Sequence, residues 1–160
     1  MRNSKIKIVV DTNVFINSLI FTEDNSNDTE ALGILYDLIE NNKIELAFSQ
    51  DTIGELFYIL KNKILHYIEE DKQIDIINGI ATLFLLSYSV NTEGTQCQKC
   101  KDPKDDMFIE CAIRGNATYI ITNDFRSGLS DITKYKFKTI KCNEFIKMYY
   151  DKNKDEVASD

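Results

Sequence analysis

The sequence has a single histidine, His66, and no stretch of about 18 uncharged apolar residues. One histidine excludes a metal site built on several imidazoles and argues against a Ser-His-Asp nucleophile. Without a long apolar stretch, no membrane-spanning helix is predicted. The phosphate-binding patterns G-x-x-x-x-G-K-[ST] and G-x-G-x-x-G are also missing, which removes the usual nucleotide-binding interpretations.

A net positive charge is missing too. The 160 residues include 19 Lys and Arg against 26 Asp and Glu, for a formal charge of -7. This charge argues against a protein that holds nucleic acid by a basic field alone. If the substrate is a polyanion, cations must intervene between it and the protein.

Internal repeats and linkers rich in proline, glycine or serine are absent, and the apolar content of 43% is that of a folded chain. We therefore expect one domain over residues 1–150, followed by a polar tail, residues 151–160, that frays. The N-terminal residues show no small-residue cleavage site, and nothing in the four cysteines suggests secretion. We expect a cytoplasmic protein with reduced thiols.

The chain does contain an alternation of strand and helix patterns. Short apolar runs predict strands at residues 5–10, 44–48, 88–90, 118–122 and 136–140. Helical spacing predicts a helix at residues 28–40 and a second helix that begins after a cap at Ser49. It predicts three more helices, at residues 64–86 with a break near Glu70, from Pro103 to Gly115, and at residues 143–150. This alternation predicts a three-layer α/β/α sandwich around a parallel sheet, with the site at the carboxyl ends of the strands.

Two aspartates, Asp11 and Asp124, come directly after predicted strands. Because the carboxyl ends of parallel strands meet at one edge of the sheet, we expect both carboxylates at that edge. Acids after strands also cap the following helix or form turns. The spacing alone leaves both alternatives open.

Three further acids lie in predicted helices. Asp105 shares a face with Phe108, so its carboxylate is expected to point toward the sheet, although an acid in a first turn also complements the helix dipole. Asp106, one step round the helix, is expected at the rim. The spacing of Glu55 relative to its apolar stripe favours a solvated surface glutamate.

A cluster of carboxylates suits phosphodiester hydrolysis with Mg²⁺ or Mn²⁺. Such a cation takes a few carboxylates plus waters, binds a phosphate oxygen and lowers the pKa of an attacking water. It would also offset the negative charge that otherwise keeps phosphate away from an acidic site.

Four segments together resemble the PIN domain: VVDTNVFINSL, the S-x5-E-L that begins at Ser49, DPKDDMFIECA, and YIITND. The resemblance extends over residues 5–149 and is strongest for small prokaryotic PIN proteins assigned as toxins of toxin-antitoxin pairs. It implies a sheet of about five parallel strands covered by helices on both faces. It also implies a Mg²⁺- or Mn²⁺-dependent endoribonuclease with RNA as substrate, a cognate antitoxin as partner, and a homodimer.

Carried over position by position, the resemblance assigns the catalytic and metal-binding roles to four acids, Asp11, Glu55, Asp105 and Asp124. It assigns supporting roles to three further residues, Asn13, Asp106 and Thr122. The rival function is a non-catalytic binding module that keeps the fold and acts by association with RNA or protein. A phosphatase-like or receiver domain is disfavoured, because the strand ends lack its aspartate and lysine pattern.

Two features lie outside the family pattern. Cys97 and Cys100 lie in a polar loop, and a structural zinc would need two further ligands that the spacing does not supply, so incidental cysteines are favoured. Residues 134–138 alternate lysine with aromatic residues, which suits either single-stranded RNA binding or an edge strand with one wet and one buried face. We favour the edge strand.

Overall fold

The computed structural model describes residues 5–19 and 26–157. Within these residues, five strands form one sheet: β1 (Lys7–Val10), β2 (Glu45–Ser49), β3 (Tyr88–Val90), β4 (Tyr119–Ile121) and β5 (Lys138–Ile140). All neighbouring strands are parallel, and their order across the sheet is β3-β2-β1-β4-β5. The predicted strands are confirmed, with ends that differ by one or two residues.

The described α-helices are α1 (Thr12–Leu19), α2 (Ser26–Glu40), α3 (Gln50–Ile59), α4 (Glu70–Leu86), α5 (Asp106–Arg114) and α6 (Cys142–Val157). Helix α1 was not predicted. The break expected near Glu70 is confirmed, because a 3-10 turn ends at Tyr67, Ile68 is extended, and α4 begins at Glu70. Helix α6 continues past the predicted end at residue 150, so the expected fraying tail is helical up to Val157.

Both faces of the sheet are buried, as successive residues of β1 show. Ile8 and Val10 belong to a core that includes Phe145 of α6 and residues of α2 and α4. Val9, which points to the opposite face, packs in a second core with Phe108 of α5. The predicted three-layer α/β/α architecture is therefore confirmed. No helix in the described ranges is long and apolar enough to cross a membrane.

The direction of winding reverses between β1 and β4, which places a crevice at their carboxyl ends. From β1 the sheet extends through β2 to β3 on one side, and through β4 to β5 on the other. The Asp11 N–H donates to the carbonyl of Ile121 at 2.9 Å and so joins the two strand ends. Ligands of open parallel sheets bind at such a reversal point, which is where Asp11 lies.

Caps fix the helix starts that lead to this edge. Ser49 Oγ accepts from the Thr52 N–H at 3.2 Å, and Thr52 Oγ1 accepts from the Ser49 N–H at 2.9 Å, so the predicted cap of α3 is confirmed. Asp102 Oδ1 accepts from the Lys104 N–H at 3.0 Å and caps a 3-10 turn, Pro103–Asp105, that leads into α5. These caps set the positions of the acids that follow.

The alternating segment at residues 134–138 leads into β5, which is an edge strand. Phe137 is buried and Tyr135 is half-buried, whereas the lysines of the segment are exposed. The interpretation of one wet and one buried face is therefore confirmed.

Candidate metal centre

Asp11 is the most deeply buried of the four predicted acids, with 4% of the residue exposed. It lies between the end of β1 and the start of α1. Its backbone carbonyl accepts from the Val14 N–H at 3.0 Å, and its Oδ1 accepts from the Asn13 N–H at 3.3 Å. The capping role and the strand-end position that the sequence left open are combined in this one residue.

Asn13 and Thr122 orient the Asp11 carboxylate. Asn13 Nδ2 donates to Oδ2 at 2.6 Å, and Thr122 Oγ1 donates to the same oxygen at 2.7 Å. Thr122 is buried, and its Oγ1 also accepts from the Asp124 N–H at 3.1 Å. Two of the three residues predicted to support the acids, Asn13 and Thr122, thus contact Asp11 directly, and Thr122 connects it to Asp124.

The Asp11 carboxyl is difficult to ionise. Burial raises its pKa to about 7, and the charges of Asp105 and Glu55 add to the increase. Hydrogen bonds from Thr122 and Asn13 act in the opposite direction but do not offset burial. A divalent cation beside Asp11 would stabilise the ionised form and lower its pKa. A carboxyl perturbed in this way in a crevice is typical of a functional site.

Glu55 lies on α3 and reaches across to the start of α1. Its Oε2 accepts from Thr12 Oγ1 at 2.5 Å, and Thr12 is itself buried. Glu55 is half-buried and lines an open cavity, so it is less exposed than the solvated surface glutamate that the helix spacing favours. Burial raises the pKa of both Asp11 and Asp105, and the charge of Glu55 adds to both shifts. Glu55 therefore acts electrostatically on the acids at the strand ends.

Asp105 is the last residue of the 3-10 turn before α5 and is half-buried. Burial raises its pKa, neighbouring acids raise it further, and a hydrogen bond with Ser127 lowers it. The acids that contribute are Asp102, Glu55 and Asp124. Asp105 thus lies within electrostatic range of acids on two other elements.

The Asp124 carboxylate lies next to the guanidinium of Arg126. Its Oδ1 accepts from the Arg126 N–H at 2.9 Å and lies 3.3 Å from Arg126 Nε. The backbone hydrogen bond from Arg126 lowers the pKa of Asp124, and the guanidinium adds to that effect. Asp124 therefore adopts the turn that the sequence left open, and it does so at the same edge as Asp11.

The four acids lie at one edge of the sheet but do not form a closed coordination shell. Asp105 and Asp124 line a cavity of about 600 Å³, and Glu55 lines a second cavity of about 740 Å³. Among the residues that the structure describes, no three His, Cys, Asp or Glu side chains converge closely enough to hold one ion. The carboxylates instead contact hydroxyl, amide and guanidinium groups of the chain. Mutual repulsion of like charges favours this separation.

The donor set fits a hard divalent cation. Oxygen atoms of carboxylates and hydroxyls are the ligands that Mg²⁺ and Mn²⁺ prefer. The buried Asp11 carboxyl, whose pKa burial raises to about 7, supplies a charge that a cation would stabilise. The predicted ligands of such a cation are Asp11, Glu55, Asp105 and Asp124, whose carboxylates would have to move closer together to share one ion.

Asp106, predicted at the rim, is buried, with 7% of the residue exposed. Its Oδ1 accepts from the Cys100 N–H at 2.7 Å, and its Oδ2 lies 3.2 Å from Lys99 Nζ. The rim position is therefore wrong, because the loop before α5 covers this side chain. Asp106 anchors that loop, and its oxygens are engaged there rather than with the other acids.

Three polar residues of the site were not predicted: Thr12, Arg126 and Ser127. Thr12 directly follows Asp11, and its contact with Glu55 depends on how α1 and α3 approach each other. Arg126 and Ser127 follow Asp124 in the turn after β4. Their position next to or near a predicted acid in the sequence could have identified these three residues. The sequence did not indicate, however, which polar neighbours of the acids turn toward the candidate site.

The cysteines do not form a second site. All four lie in the described part of the chain, and none forms a disulfide. Burial raises the pKa of the Cys97 thiol, and it raises the pKa of Cys100 to about 12. Among the described residues, no three His, Cys, Asp or Glu side chains gather around these cysteines in a way that could hold a zinc ion. Incidental cysteines stay the prediction.

Three comparisons relate the chain to known proteins. A family model described as the PIN domain matches residues 7–126, which include all four acids. The uncharacterized protein MJ1680 of Methanocaldococcus jannaschii is 32% identical over 136 residues, covering 84% of this chain and 82% of that protein. The crystal structure of VapBC2 from Rickettsia felis, bound to a DNA fragment from their promoter, aligns with a TM-score of 0.47 and 13% identity, covering 85% of this chain and 98% of the other. Because the family model matches more than half of its residues, the chain belongs to the PIN-domain family, whose members are generally nucleases.

Proposed function

We propose that this protein is a metal-dependent endoribonuclease. Its Mg²⁺ or Mn²⁺ ligands are the four acids Asp11, Glu55, Asp105 and Asp124. The observation that carries the proposal is the environment of Asp11, which is buried beside acids and whose pKa burial raises to about 7. Burying a carboxylate among other carboxylates costs folding energy, and binding of a cation to the folded protein offsets that cost.

The side chains of the site have separate tasks in this mechanism. Thr122 and Asn13 fix the orientation of the Asp11 carboxylate through its Oδ2. Asp105, whose pKa is raised by burial, is suited to accept a proton from an attacking water. When bound, the cation supplies Lewis-acid chemistry: it binds a phosphate oxygen and lowers the pKa of water. Glu55, which lies on α3, is the fourth proposed ligand of the cation.

The choice of RNA as substrate rests on the family and on charge. With a formal charge of -7, the protein repels polyanions at long range, so a phosphodiester can approach the acids only when cations offset them. Arg126 lies beside Asp124 and offers one such positive charge at the edge. We propose that the protein acts on cytoplasmic RNA.

The rival function is a non-catalytic module that binds RNA or protein through the same edge. Retention of all four acids disfavours this rival, since simple binding of an anion does not require them. The two functions differ in what they require of a metal ion. Catalysis needs it for turnover, whereas a binding module does not.

The test is cleavage of end-labelled single-stranded RNAs of varied sequence with Mn²⁺. We expect internal cleavage by the wild-type protein, no cleavage in EDTA, and none by Asp11→Asn. Asp75→Asn, which neutralises an exposed acid on α4, serves as the matched control and should cleave like wild type. Intact RNAs in every reaction, with wild type no more active than Asp11→Asn, would favour the binding module.

We further propose that the nuclease is the toxin of a toxin-antitoxin pair whose antitoxin covers the acidic edge. The Arg126 guanidinium lies 3.3 Å from Asp124, so an arginine of a partner would find suitable acceptors there. Expression without the partner gene should arrest growth for wild type but not for Asp11→Asn. Normal growth of cells that express active wild-type enzyme would contradict toxicity and leave the nuclease proposal in place.

A homodimer is the remaining proposal about partners. Helix α4 exposes large apolar side chains, among them Ile74, Ile77 and Leu85. Exposed apolar patches of this kind are typical of protein interfaces. Sedimentation velocity should show a dimer that Ile77→Lys weakens, and a monomer at all concentrations would contradict the proposal.

A further inference from the structure

Residues 99–104, KCKDPK, form a basic segment in an acidic chain. The segment carries three lysines and one aspartate, whereas the whole chain has a formal charge of -7. Lys101 and Lys104 are exposed. We call residues 99–104 the basic segment. It joins the loop that lies outside the family pattern to the turn that carries Asp105.

Contacts with α5 and with the turn at residues 127–128 hold the basic segment in place, among them a hydrogen bond from the Asp102 N–H to the Ser127 carbonyl at 3.1 Å. The Cys100 N–H donates to Asp106 Oδ1 at 2.7 Å, which ties the segment to the first turn of α5. Lys101 packs against Gly128, where an added Cβ would lie only 2.9 Å from Lys101 Cβ. Gly128 also has a φ of 88°, which glycine adopts without strain. The backbone of the segment is thus positioned by the fold.

The basic segment separates the two cavities beside the acids. Lys101 and Asp105 line the cavity of about 600 Å³. Lys104 and Glu55 line the cavity of about 740 Å³. Pro103 lines both cavities and forms the ridge between them. A chain of phosphates that crosses this ridge would meet a lysine on each side of it, next to an acid of the candidate site.

We infer that the basic segment binds the phosphates of single-stranded RNA on both sides of the scissile bond, through Lys101 and Lys104. The inference rests on the proposed function, because the acids define where the bond is cut. Lysine contacts to phosphate supply affinity without reading sequence. A single strand can bend over the ridge at Pro103, whereas a duplex is stiff over this length. Lys99 has a different task, since it is paired with Asp106.

The test compares two pairs of lysines that differ only in position. Lys101→Ala/Lys104→Ala removes the two proposed contacts and keeps Cβ at both positions. Lys61→Ala/Lys63→Ala removes the same charge from exposed residues of the turn after α3, which line neither cavity. RNA binding is measured by fluorescence anisotropy in an Asp11→Asn background, and kcat and KM are measured with Mn²⁺ in otherwise wild-type protein. Thermal melts verify that every variant is folded.

We expect the Lys101/Lys104 pair to raise Kd and KM at least tenfold with little change in kcat, because the lysines bind substrate without taking part in the chemistry. The slope of log Kd against log salt should fall by about 1.4, which is the value for two phosphate contacts to a single strand. Lys101→Arg/Lys104→Arg should restore binding, since it restores the charge. The control pair should change Kd less than twofold.

The outcomes separate this inference from the proposed function. Equal changes in Kd for the two lysine pairs, in an enzyme that cleaves RNA, would overturn the basic segment as the binding site and leave the nuclease in place. RNA binding that depends on Lys101 and Lys104, in a protein that cleaves nothing, would support the segment and overturn the nuclease. A duplex RNA bound as tightly as the single strand would overturn the choice of substrate class.

Discussion

Two buried aspartates of this protein have opposite surroundings. Asp11 accepts hydrogen bonds from the neutral groups of Thr122 and Asn13, and the charges that act on it are negative. Asp106 accepts from a backbone N–H and lies 3.2 Å from the ammonium of Lys99. Within the described chain, the second acid therefore has its own counter-charge and the first does not.

The difference supports the proposal that Asp11 belongs to a metal site and that Asp106 belongs to the scaffold. A buried acid paired with a cation and a backbone donor stabilises local structure, here the basic segment. A buried acid among acids raises the energy of the folded protein until a ligand of opposite charge binds. Burial alone does not separate the two cases, whereas the sign of the neighbouring charges does.

The largest expected effect is on catalysis by Asp11→Asn. The amide keeps the shape and the contact with Thr122 but removes the charge that binds the cation, so kcat with Mn²⁺ should fall by about a thousandfold or more. The measurement is single-turnover cleavage of a labelled RNA. Retention of a tenth of wild-type activity would show that Asp11 is not part of the metal site.

The pH dependence of stability sharpens the comparison. Burial raises the pKa of folded Asp11 to about 7, whereas the unfolded carboxyl titrates near its usual value of about 4. The folded state therefore keeps a proton that the unfolded state loses, and stability falls as pH rises from about 4 to about 7. For this group the loss is at most about 4 kcal/mol.

The check is urea unfolding of wild type and Asp11→Asn in EDTA across this pH range. The difference between the two stability curves isolates the contribution of Asp11 from that of the other carboxyls. Those include Asp105, whose pKa is also raised by burial, and Asp124, whose pKa is lowered by its hydrogen bond with Arg126. The variant should lose less stability as pH rises. Parallel curves would mean that folded Asp11 titrates normally.

Asp106→Ala should destabilise the protein by about 1 to 3 kcal/mol, because it leaves the Cys100 N–H and the Lys99 ammonium without their partner. The loss should be the same in EDTA and in Mn²⁺, since Asp106 is engaged by the loop. Urea unfolding measures it. A loss that appears only with Mn²⁺ would place Asp106 among the metal ligands.

The smallest expected effects are changes in stability caused by Asp105→Asn and Asp124→Asn. In EDTA, Asp105→Asn should stabilise slightly, because burial and neighbouring acids raise the pKa of Asp105. Asp124→Asn should destabilise slightly, because the hydrogen bond from Arg126 lowers the pKa of Asp124. Each change should stay below about 1 kcal/mol at these partly exposed positions. If thermal melts show both variants destabilised by about 0.5 to 2 kcal/mol, the residues are structural caps.

The sequence was sufficient to predict the sheet and the edge where Asp11 and Asp124 lie. Apolar runs bounded by turn residues identify the strands, and the parallel arrangement brings Asp11 and Asp124 to one edge. Helix α1 was missed because its apolar residues Val14, Phe15 and Ile16 are consecutive, and a short run of this kind does not distinguish helix from strand.

The side-chain partners could not be predicted, because they depend on packing between distant segments. Glu55 turns toward Thr12, 43 residues earlier in the chain, and the helix spacing of α3 contains no information about that contact. Asp106 is buried by a loop that folds back on α5, which a helix wheel does not represent. The resemblance to a family supplied Glu55, but local patterns did not.

The sequence predicted that a helix ends at Gly115, but not why glycine is needed there. Helix α5 ends there, but Gly115 has a φ of -76°, and the left-handed residue is Asn116 with a φ of 52°. Glycine is required because an added Cβ would lie 2.8 Å from the Cys111 carbonyl oxygen and 3.1 Å from Val90 Cγ2. The constraint is the close approach of Gly115 to the last turn of α5 and to β3, which sequence position alone does not reveal.

The most direct test of the account is the Tm shift caused by Mn²⁺ at pH 8, where Asp11 is ionised. At a concentration 100 times its Kd, a ligand of the folded state stabilises by about 2.7 kcal/mol, which corresponds to roughly 5 to 10 °C for a protein of this size. Relative to EDTA, Mn²⁺ should raise the Tm of wild type and of Asp106→Asn by similar amounts and leave Asp11→Asn unchanged. No shift for wild type, or the same shift for all three proteins, would contradict the claim that the acids around Asp11 form a metal site.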